Sequence, residues 1–256
     1  FAAVEDVVSS ECVLATNTSS LSVTAMGAKL ARPERVVGMH FFNPVAVLPL
    51  VELVRTPATD DVTLATAWDV TTRLGKRGVL VADAHPFVVN RVLTRLTTVL
   101  MDALEHGNTV EETDEAVLRL GLPLAPSVLL QMVGPAVANR VLRTLHDAYP
   151  DRFPLSPTLE GYARGSTEIV RRGDRRRSVE ELTVAVREAI ADEVRHILDE
   201  GVVSSAKDVD TCVLLGAGFP FFLGGITPHL DSTGVSERVV GSRLAEYRAG
   251  APISSP

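Results

Sequence analysis

The chain has 256 residues, 46% of them hydrophobic, which is enough for one large domain or two modest ones around a substantial core. Its formal net charge of −7 argues against nucleic acid as the main partner. No apolar run approaches the roughly 20 residues of a membrane span, and no signal peptide is expected. Cys12 and Cys212 lie far apart without a metal-binding motif, which favours a reducing compartment.

The first third of the chain alternates helical segments with short runs rich in valine and leucine. This pattern predicts helices over residues 1–9, 22–30 and 60–74, and strands over residues 12–15, 36–39, 48–53 and 78–82. Ser22 and Asp60 are the predicted caps of the second and third helices. Such alternation predicts a mostly parallel sheet. Because the first helical pattern begins without an initiator methionine or a cap, we expect the chain to start inside a domain.

Polar residues follow two of these strands. Ligands of open α/β sheets bind outside the carboxyl ends of the strands, so loop 17–20 and segment 40–43 are expected to face each other across one crevice. His40 could act there as a general base, with Glu52, twelve positions later, fixing the ring and stabilising the imidazolium. The alternative is a satisfied histidine in a half-buried loop, and spacing alone does not decide between the two.

From Pro86 onward the pattern is helical. Long amphipathic helices are predicted over residues 87–106 and 179–200, and one or two helices over residues 126–145. Capping boxes are predicted at Thr109 with Glu112 and at Ser178 with Glu181.

The segment 147–178 is rich in proline and charge and is predicted to be a connection with a short helix. Its arginine run at 171–177 is interpreted as a solvated basic patch. Residues 103–123 echo residues 197–220, since each has a long helix ending at glycine, a short helix, a Leu-Gly pair and a proline. The echo predicts a duplicated helical unit.

Four motifs carry a resemblance to a known family: ATNTSSL (15–21), VGMHFFNPV (37–45), LVELV (50–54) and FVVNRVL (87–93). In this order and spacing they resemble the 3-hydroxyacyl-CoA dehydrogenase family, most of all the dehydrogenase part of multifunctional fatty-acid β-oxidation α subunits. Those proteins also carry two tandem helical units and a terminal segment similar to LGAGFPFFLGG (215–225).

The resemblance implies an α/β part followed by an all-α part. It divides the chain into the C-terminal part of a Rossmann-like NAD-binding domain (1–84), a first helical unit (85–150), a linker (151–178) and a second helical unit (179–256). The family's glycine-rich loop for the NAD pyrophosphate has no match, because Gly216-Ala217-Gly218 does not follow a predicted strand. The N-terminal half of the NAD domain is therefore expected to be missing, and this piece alone to bind NAD poorly and to be inactive.

The implied reaction oxidises the 3-hydroxyl group of an acyl-CoA, with hydride transfer to NAD. His40 matches the family's base and Glu52 its carboxylate partner. Ser19 matches a hydroxyl that bonds the reacting oxygen beside the nicotinamide, and Asn90 matches an amide that contacts the substrate. From sequence alone, Ser19 could be a simple loop residue and Asn90 a solvent-facing helix residue.

Two further residues are assigned by the same resemblance. Asn43 matches a contact to the nicotinamide part of the cofactor, although it could also be only a turn residue before Pro44. His229 stands where the family often has a tyrosine, so it is predicted to contact the substrate. The family usually has Pro-Gly where this chain has His85-Pro86.

The resemblance also implies an acyl-CoA substrate, a cytoplasmic location, and a thiolase subunit or a second copy of the chain as protein partner. One alternative is a non-catalytic helical module that docks a thiolase, since the apolar faces of the two long helices fit either interpretation. Another is a 3-hydroxybutyryl-CoA dehydrogenase, because the motifs do not separate acyl-chain lengths.

Overall fold

The computed structural model describes residues 1–19, 21–84 and 86–247. Ser20 of the predicted loop, His85 at the start of the first predicted helical unit, and residues 248–256 of the second unit lie outside the described residues.

A four-stranded sheet forms the first layer of the fold, with its strands in sequence order. The strands are β1 Leu14–Thr16, β2 Val36–Phe41, β3 Leu50–Arg55 and β4 Arg77–Ala82. β1 pairs parallel with β2 and β3 pairs parallel with β4, whereas β2 and β3 are antiparallel. The predicted mostly parallel sheet is thus confirmed. β2 runs two residues further than the pattern indicates, so His40 lies inside the strand, paired across the ladder, instead of following it.

Three helices belong to this α/β part: α1 Ala2–Glu5, α2 Val23–Gly27 and α3 Asp61–Arg73. The Ser22 hydroxyl caps α2 and the Asp60 carboxylate caps α3, as the sequence predicts. The predicted helix over residues 1–9 is wrong in extent. None of the four residues of α1 is buried and Val7 is 81% exposed, so little tertiary packing supports a longer helix.

Nine helices in the described part of the chain form the second layer. They are α4 Phe87–Glu105, α5 Val110–Leu118, α6 Pro126–Val133, α7 Pro135–Ala148, α8 Pro157–Ala163, α9 Val179–Asp199, α10 Ala206–Gly216, α11 Ile226–Ser232 and α12 Val235–Val240. Both predicted capping boxes are present, at Thr109 with Glu112 and at Ser178 with Glu181. No helix among the described residues is long and apolar enough to cross a membrane.

In the two similar segments, 103–123 and 197–220, the short helix of each segment packs against the long helix of the other. The long helices α4 and α9 pack along each other, while α5 of the first segment packs on α9 and α10 of the second packs on α4. The Thr183 hydroxyl of α9 also donates to the Ala116 carbonyl of α5 at 3.1 Å. Buried side chains of both segments belong to one continuous core, which also reaches the sheet. The α4 helix is therefore held rigidly between the second segment and the sheet.

The arginine run is mostly exposed to solvent, as its composition indicates, but several of its side chains also contact the end of α4. Arg172 bonds the buried Glu105 at 3.3 Å and Arg177 bonds Asp102 at 3.0 Å, both at the end of α4. Arg171 donates to the Leu104 carbonyl at 2.7 Å. The prediction did not include these contacts, which form because the connection folds back onto α4, whose carboxylates pair with two arginines of the run.

Candidate active site

His40 and Glu52 form a buried pair on neighbouring strands. They are direct register partners across the antiparallel β2–β3 ladder, so their side chains project to the same face of the sheet. Nδ1 of His40 lies 2.7 Å from Oε2 of Glu52. The two residues are only 3% and 0% exposed, which leaves this bond little competition from water.

The second oxygen of Glu52 contacts the start of α4. Oε1 accepts hydrogen bonds from the backbone N–H groups of Val88 and Val89, each at 3.1 Å. These amides belong to the first turn of the helix, where donors lack intrahelical partners and the helix dipole favours negative charge. Glu52 therefore acts as an acceptor on both sides. In the tautomer that this acceptor selects, His40 donates from Nδ1 and carries its lone pair on Nε2.

Ser19 lies opposite this free nitrogen. Its hydroxyl oxygen is 3.1 Å from Nε2 of His40. The loop that carries Ser19 follows β1 and is fixed to β2 by the Asn17 side chain, which accepts from the Phe41 amide at 2.9 Å. Because β1 and β2 are parallel, both chain segments leave the sheet at the same edge. The predicted meeting of the two loops across one crevice is confirmed.

Asn90 reaches the same loop from α4. Its side-chain amide donates to the Ser19 carbonyl oxygen at 3.4 Å, and the residue is half-buried. Asn90 is therefore not simply a solvent-facing helix residue. The structure brings together His40, Glu52, Ser19 and Asn90 from four separate elements.

Two aromatic rings that the sequence reasoning missed enclose the imidazole. The Phe42 ring lies edge-on at 4.5 Å from the His40 ring, and the Phe87 ring lies at 5.5 Å, measured between centroids. Phe87 is fully buried and has a positive φ of 65°, a backbone conformation that costs of the order of 1–3 kcal/mol for a residue with a side chain. The only sequence signal was that each phenylalanine stands within a motif already noted.

The remaining predicted site residues lie elsewhere. Asn43 is exposed just beyond the end of β2, at the edge of the sheet where Ser19 lies. His229 is in α11, with its ring 5.9 Å from that of Phe219. Burial, helped by nearby Arg187, lowers the pKa of His229. The described contacts do not join His229 to the other site residues, and its substrate contact stays a prediction.

Comparison with known families gives the geometry its context. Residues 1–84 match the NAD-binding domain of 3-hydroxyacyl-CoA dehydrogenase, and residues 87–167 match the C-terminal domain of the same enzyme family. The chain belongs to the 3-hydroxyacyl-CoA dehydrogenase family. The boundary between the two matches falls at the turn into α4, directly beside the amides that bind Glu52.

Solved structures give similar results. The chain is 36% identical to FadB2 of M. tuberculosis, with a TM-score of 0.62, and 32% identical to the (S)-3-hydroxybutyryl-CoA dehydrogenase PaaH1 of Ralstonia eutropha, with a TM-score of 0.61. Each match covers 64% of this chain and 59% of the other.

The 3-hydroxybutyryl-CoA dehydrogenase of Escherichia coli K12 shares the fold over more of the chain. Its TM-score is 0.75 at 21% identity, and the match covers 96% of this chain and 75% of that enzyme. In the structures from M. tuberculosis and Ralstonia eutropha, by contrast, this chain spans only 59% of the length.

Proposed function

We propose that the protein oxidises the 3-hydroxyl group of a 3-hydroxyacyl-CoA with NAD, in fatty-acid β-oxidation. His40 is the general base and Glu52 is its carboxylate partner. The observation that carries this proposal is the chain of contacts from Glu52 through both ring nitrogens of His40 to the Ser19 hydroxyl. It leaves one basic nitrogen facing a hydroxyl group at the carboxyl edge of the sheet, where ligands of such sheets bind.

The base solves the central difficulty of alcohol oxidation. A hydride leaves the carbon readily only if the hydroxyl proton is removed at the same time, and Nε2 of His40 can take that proton. The imidazolium that forms is stabilised by the Glu52 carboxylate at 2.7 Å. Bound NAD supplies the carbon that accepts the hydride.

Ser19 and Asn90 position the reacting oxygen. A substrate hydroxyl placed beside Nε2 of His40 would also lie within reach of the exposed Ser19 hydroxyl. The bond from Asn90 to the Ser19 carbonyl is long at 3.4 Å, so the amide can turn to donate to a substrate oxygen at little cost. Both groups would then stabilise the carbonyl oxygen of the product.

The residues at the sheet edge fit the nicotinamide end of NAD. The exposed amide of Asn43 and the hydroxyl of Ser19 together offer donors and acceptors for a carboxamide or a ribose hydroxyl. A contact between Asn43 and the nicotinamide part, and one between His229 and the substrate, belong to this proposal.

A second candidate is a 3-hydroxybutyryl-CoA dehydrogenase. The 32% identity to the Ralstonia eutropha enzyme favours it. The alternative of a thiolase-docking module relied on the apolar faces of α4 and α9, but these helices pack against each other. A thiolase partner, a homodimer and a cytoplasmic location stay predictions.

The test uses the full-length protein and follows NADH formation from a 3-hydroxyacyl-CoA. His40→Gln should lower kcat by on the order of 100-fold or more, because the base is lost. The matched control is His196→Gln, which removes a half-buried histidine in the last turn of α9. A His40→Gln protein with the wild-type rate would overturn the assignment of His40.

A further inference from the structure

An apolar cavity of about 180 Å³ lies beside α4 in the first helical segment. Leucine and valine side chains of four helices provide most of its wall, including Leu96, Leu100, Val117, Leu130 and Val141. Several polar groups in the wall already have partners: Asp114 accepts from both the amide and the hydroxyl of Ser127, and the hydroxyls of Thr97 and Thr113 donate to backbone carbonyls of their own helices. The cavity therefore suits an apolar occupant.

Asn90 connects this cavity to the proposed active site. The residue is part of the cavity wall and also bonds the Ser19 carbonyl oxygen. The other wall residues of α4 follow it along the helix as far as Leu104. At 1.5 Å per residue, these positions extend over about 21 Å along the helix axis. The cavity thus begins beside the reacting oxygen and leads away from the sheet.

The helix α6 covers the cavity and contributes no fully buried residue to the hydrophobic core. Its sequence, PSVLLQMV, is almost entirely apolar, yet none of its residues is buried. Leu129, Leu130 and Val133 line the cavity, and Leu130 also packs against the buried cluster that contains Met101 and Leu142. An apolar occupant would remove these side chains from water and stabilise the helix.

We infer that this cavity holds the acyl chain of the substrate, and that the protein prefers medium-chain 3-hydroxyacyl-CoA esters to 3-hydroxybutyryl-CoA. The inference rests on the proposed function. An apolar protein cavity of about 150 Å³ accommodates benzene, so 180 Å³ takes on the order of six or seven carbon atoms. A 3-hydroxybutyryl group has a single methyl group beyond the reacting carbon and would leave most of the cavity empty.

The effect on specificity follows from the burial of methylene groups. Each buried methylene is worth about a fourfold increase in kcat/KM or in affinity. The increase should continue until the cavity is filled, at an acyl chain of roughly nine or ten carbons, and then stop.

The test compares 3-hydroxyacyl-CoA esters of four to fourteen carbons as substrates of the full-length protein with NAD. We expect kcat/KM to rise by about fourfold per methylene and then to level off. A series that is flat, or that is highest at four carbons, overturns the inference. This comparison uses the wild-type protein and does not depend on the folding of any variant.

A matched pair of variants on α7 locates the effect. Ala138 lines the cavity, whereas its neighbour Val137 is 48% exposed and does not. Ala138→Phe should lower the ratio of kcat/KM for the eight-carbon ester to that for the four-carbon ester on the order of tenfold. Val137→Phe should leave the ratio unchanged. Equal ratios in both variants, with circular dichroism showing folded proteins, would count against the cavity.

A binding measurement separates this inference from the proposed function. If no ester is oxidised, the proposed function fails, but calorimetry can still measure the affinity of saturated acyl-CoA thioesters of increasing length. Affinity that rises with chain length and falls in Ala138→Phe supports an acyl-chain site. Affinity that is independent of chain length overturns it.

Discussion

Glu52 faces His40 directly across the antiparallel ladder of β2 and β3, and its carboxylate lies 2.7 Å from Nδ1 of the imidazole. The same carboxylate accepts the two amides at the start of α4. One side chain therefore orients the proposed base and also ties the sheet to the helical part of the protein. Any motion of α4 relative to the sheet would change the hydrogen bonds of the site.

Replacement of Glu52 by glutamine tests the orienting role. The single oxygen of a glutamine can stay with the amides of Val88 and Val89, but its NH2 group then faces Nδ1 of His40. That nitrogen must become the acceptor, which moves the ring proton to Nε2 and removes the free lone pair. We expect Glu52→Gln to lower kcat by on the order of 100- to 10,000-fold. NADH formation by the full-length protein measures the effect.

Glu34→Gln is the control for this substitution, because Glu34 lies in the same α/β part and its side chain bonds only the exposed Arg32 side chain among the contacts described. Circular dichroism should show both variants folded. Wild-type turnover by Glu52→Gln would contradict the orienting role.

Close packing beside the proposed base gives a second prediction. A Cβ atom added at Gly38 would lie 2.6 Å from Cβ of Val54, its register partner, and neither atom can move without the backbone. We expect Gly38→Ala to lower the free energy of unfolding by about 1–3 kcal/mol. It should also lower kcat, because Gly38 stands two residues before His40 on β2. Urea unfolding and NADH formation measure the two effects.

Gly78→Ala provides the comparison on β4. There the nearest atom is Cδ1 at the end of the Leu53 side chain, at 3.1 Å, a looser contact than the 2.6 Å at Gly38. A loss of stability equal to that of Gly38→Ala would show that the contact with Val54 is not the cause.

Local signals in the sequence predicted much of this fold. The side-chain caps at Ser22, Asp60, Thr109 and Ser178 are found where the sequence places them, because a cap depends on residues only three positions apart. The meeting of the loops after β1 and β2 followed from parallel strand topology. Relationships between residues that are far apart in the sequence were harder to predict. The spacing from His40 to Glu52 suggested a pair, but only strand register makes them direct partners.

Contacts between distant segments could not be predicted from the sequence. The ion pairs of the arginine run at 171–177 are an example, because its partner carboxylates on α4 lie about 70 positions earlier. In the same way, nothing in the sequence near Glu52 indicates that the amides of Val88 and Val89 are its partners. The apolar sequence of α6 predicted a helix but not the cavity beneath it.

The buried charge of Arg91 gives a third prediction. Its side chain is fully buried and bonds Glu193 of α9 and Glu200, the residue directly after α9, each at 2.7 Å. Arg91→Met should lower the free energy of unfolding by about 3 kcal/mol, because it leaves the buried Glu193 and the half-buried Glu200 without their main partner. We expect the low end of the usual range because Arg152 also contacts both carboxylates. Urea unfolding measures the loss.

Arg73→Met is the matched control. Arg73 is exposed and pairs with Asp69 within α3, so its removal should cost less than about 1 kcal/mol. Similar losses of stability in Arg91→Met and Arg73→Met would show that burial of the ion pairs of Arg91 does not determine how much they stabilise the protein.

The ion pair between Glu112 and Arg176 predicts how stability depends on pH. The hydrogen bond from Arg176, together with the Thr109 amide, lowers the pKa of Glu112 from 4.5 to about 2. A carboxyl group whose pKa falls on folding stabilises the native state fully above its ordinary pKa, and this contribution is lost as the pH falls towards the lowered value. Glu112→Gln should therefore be less stable than the wild type at pH 7, and the difference should shrink between about pH 4.5 and pH 2.

Urea unfolding over this pH range measures the difference in stability. The control is Glu115→Gln, which changes an exposed residue of the same helix. A difference that stays constant from pH 7 to pH 2 would show that the charge of Glu112 does not stabilise the contact between the arginine run and α5.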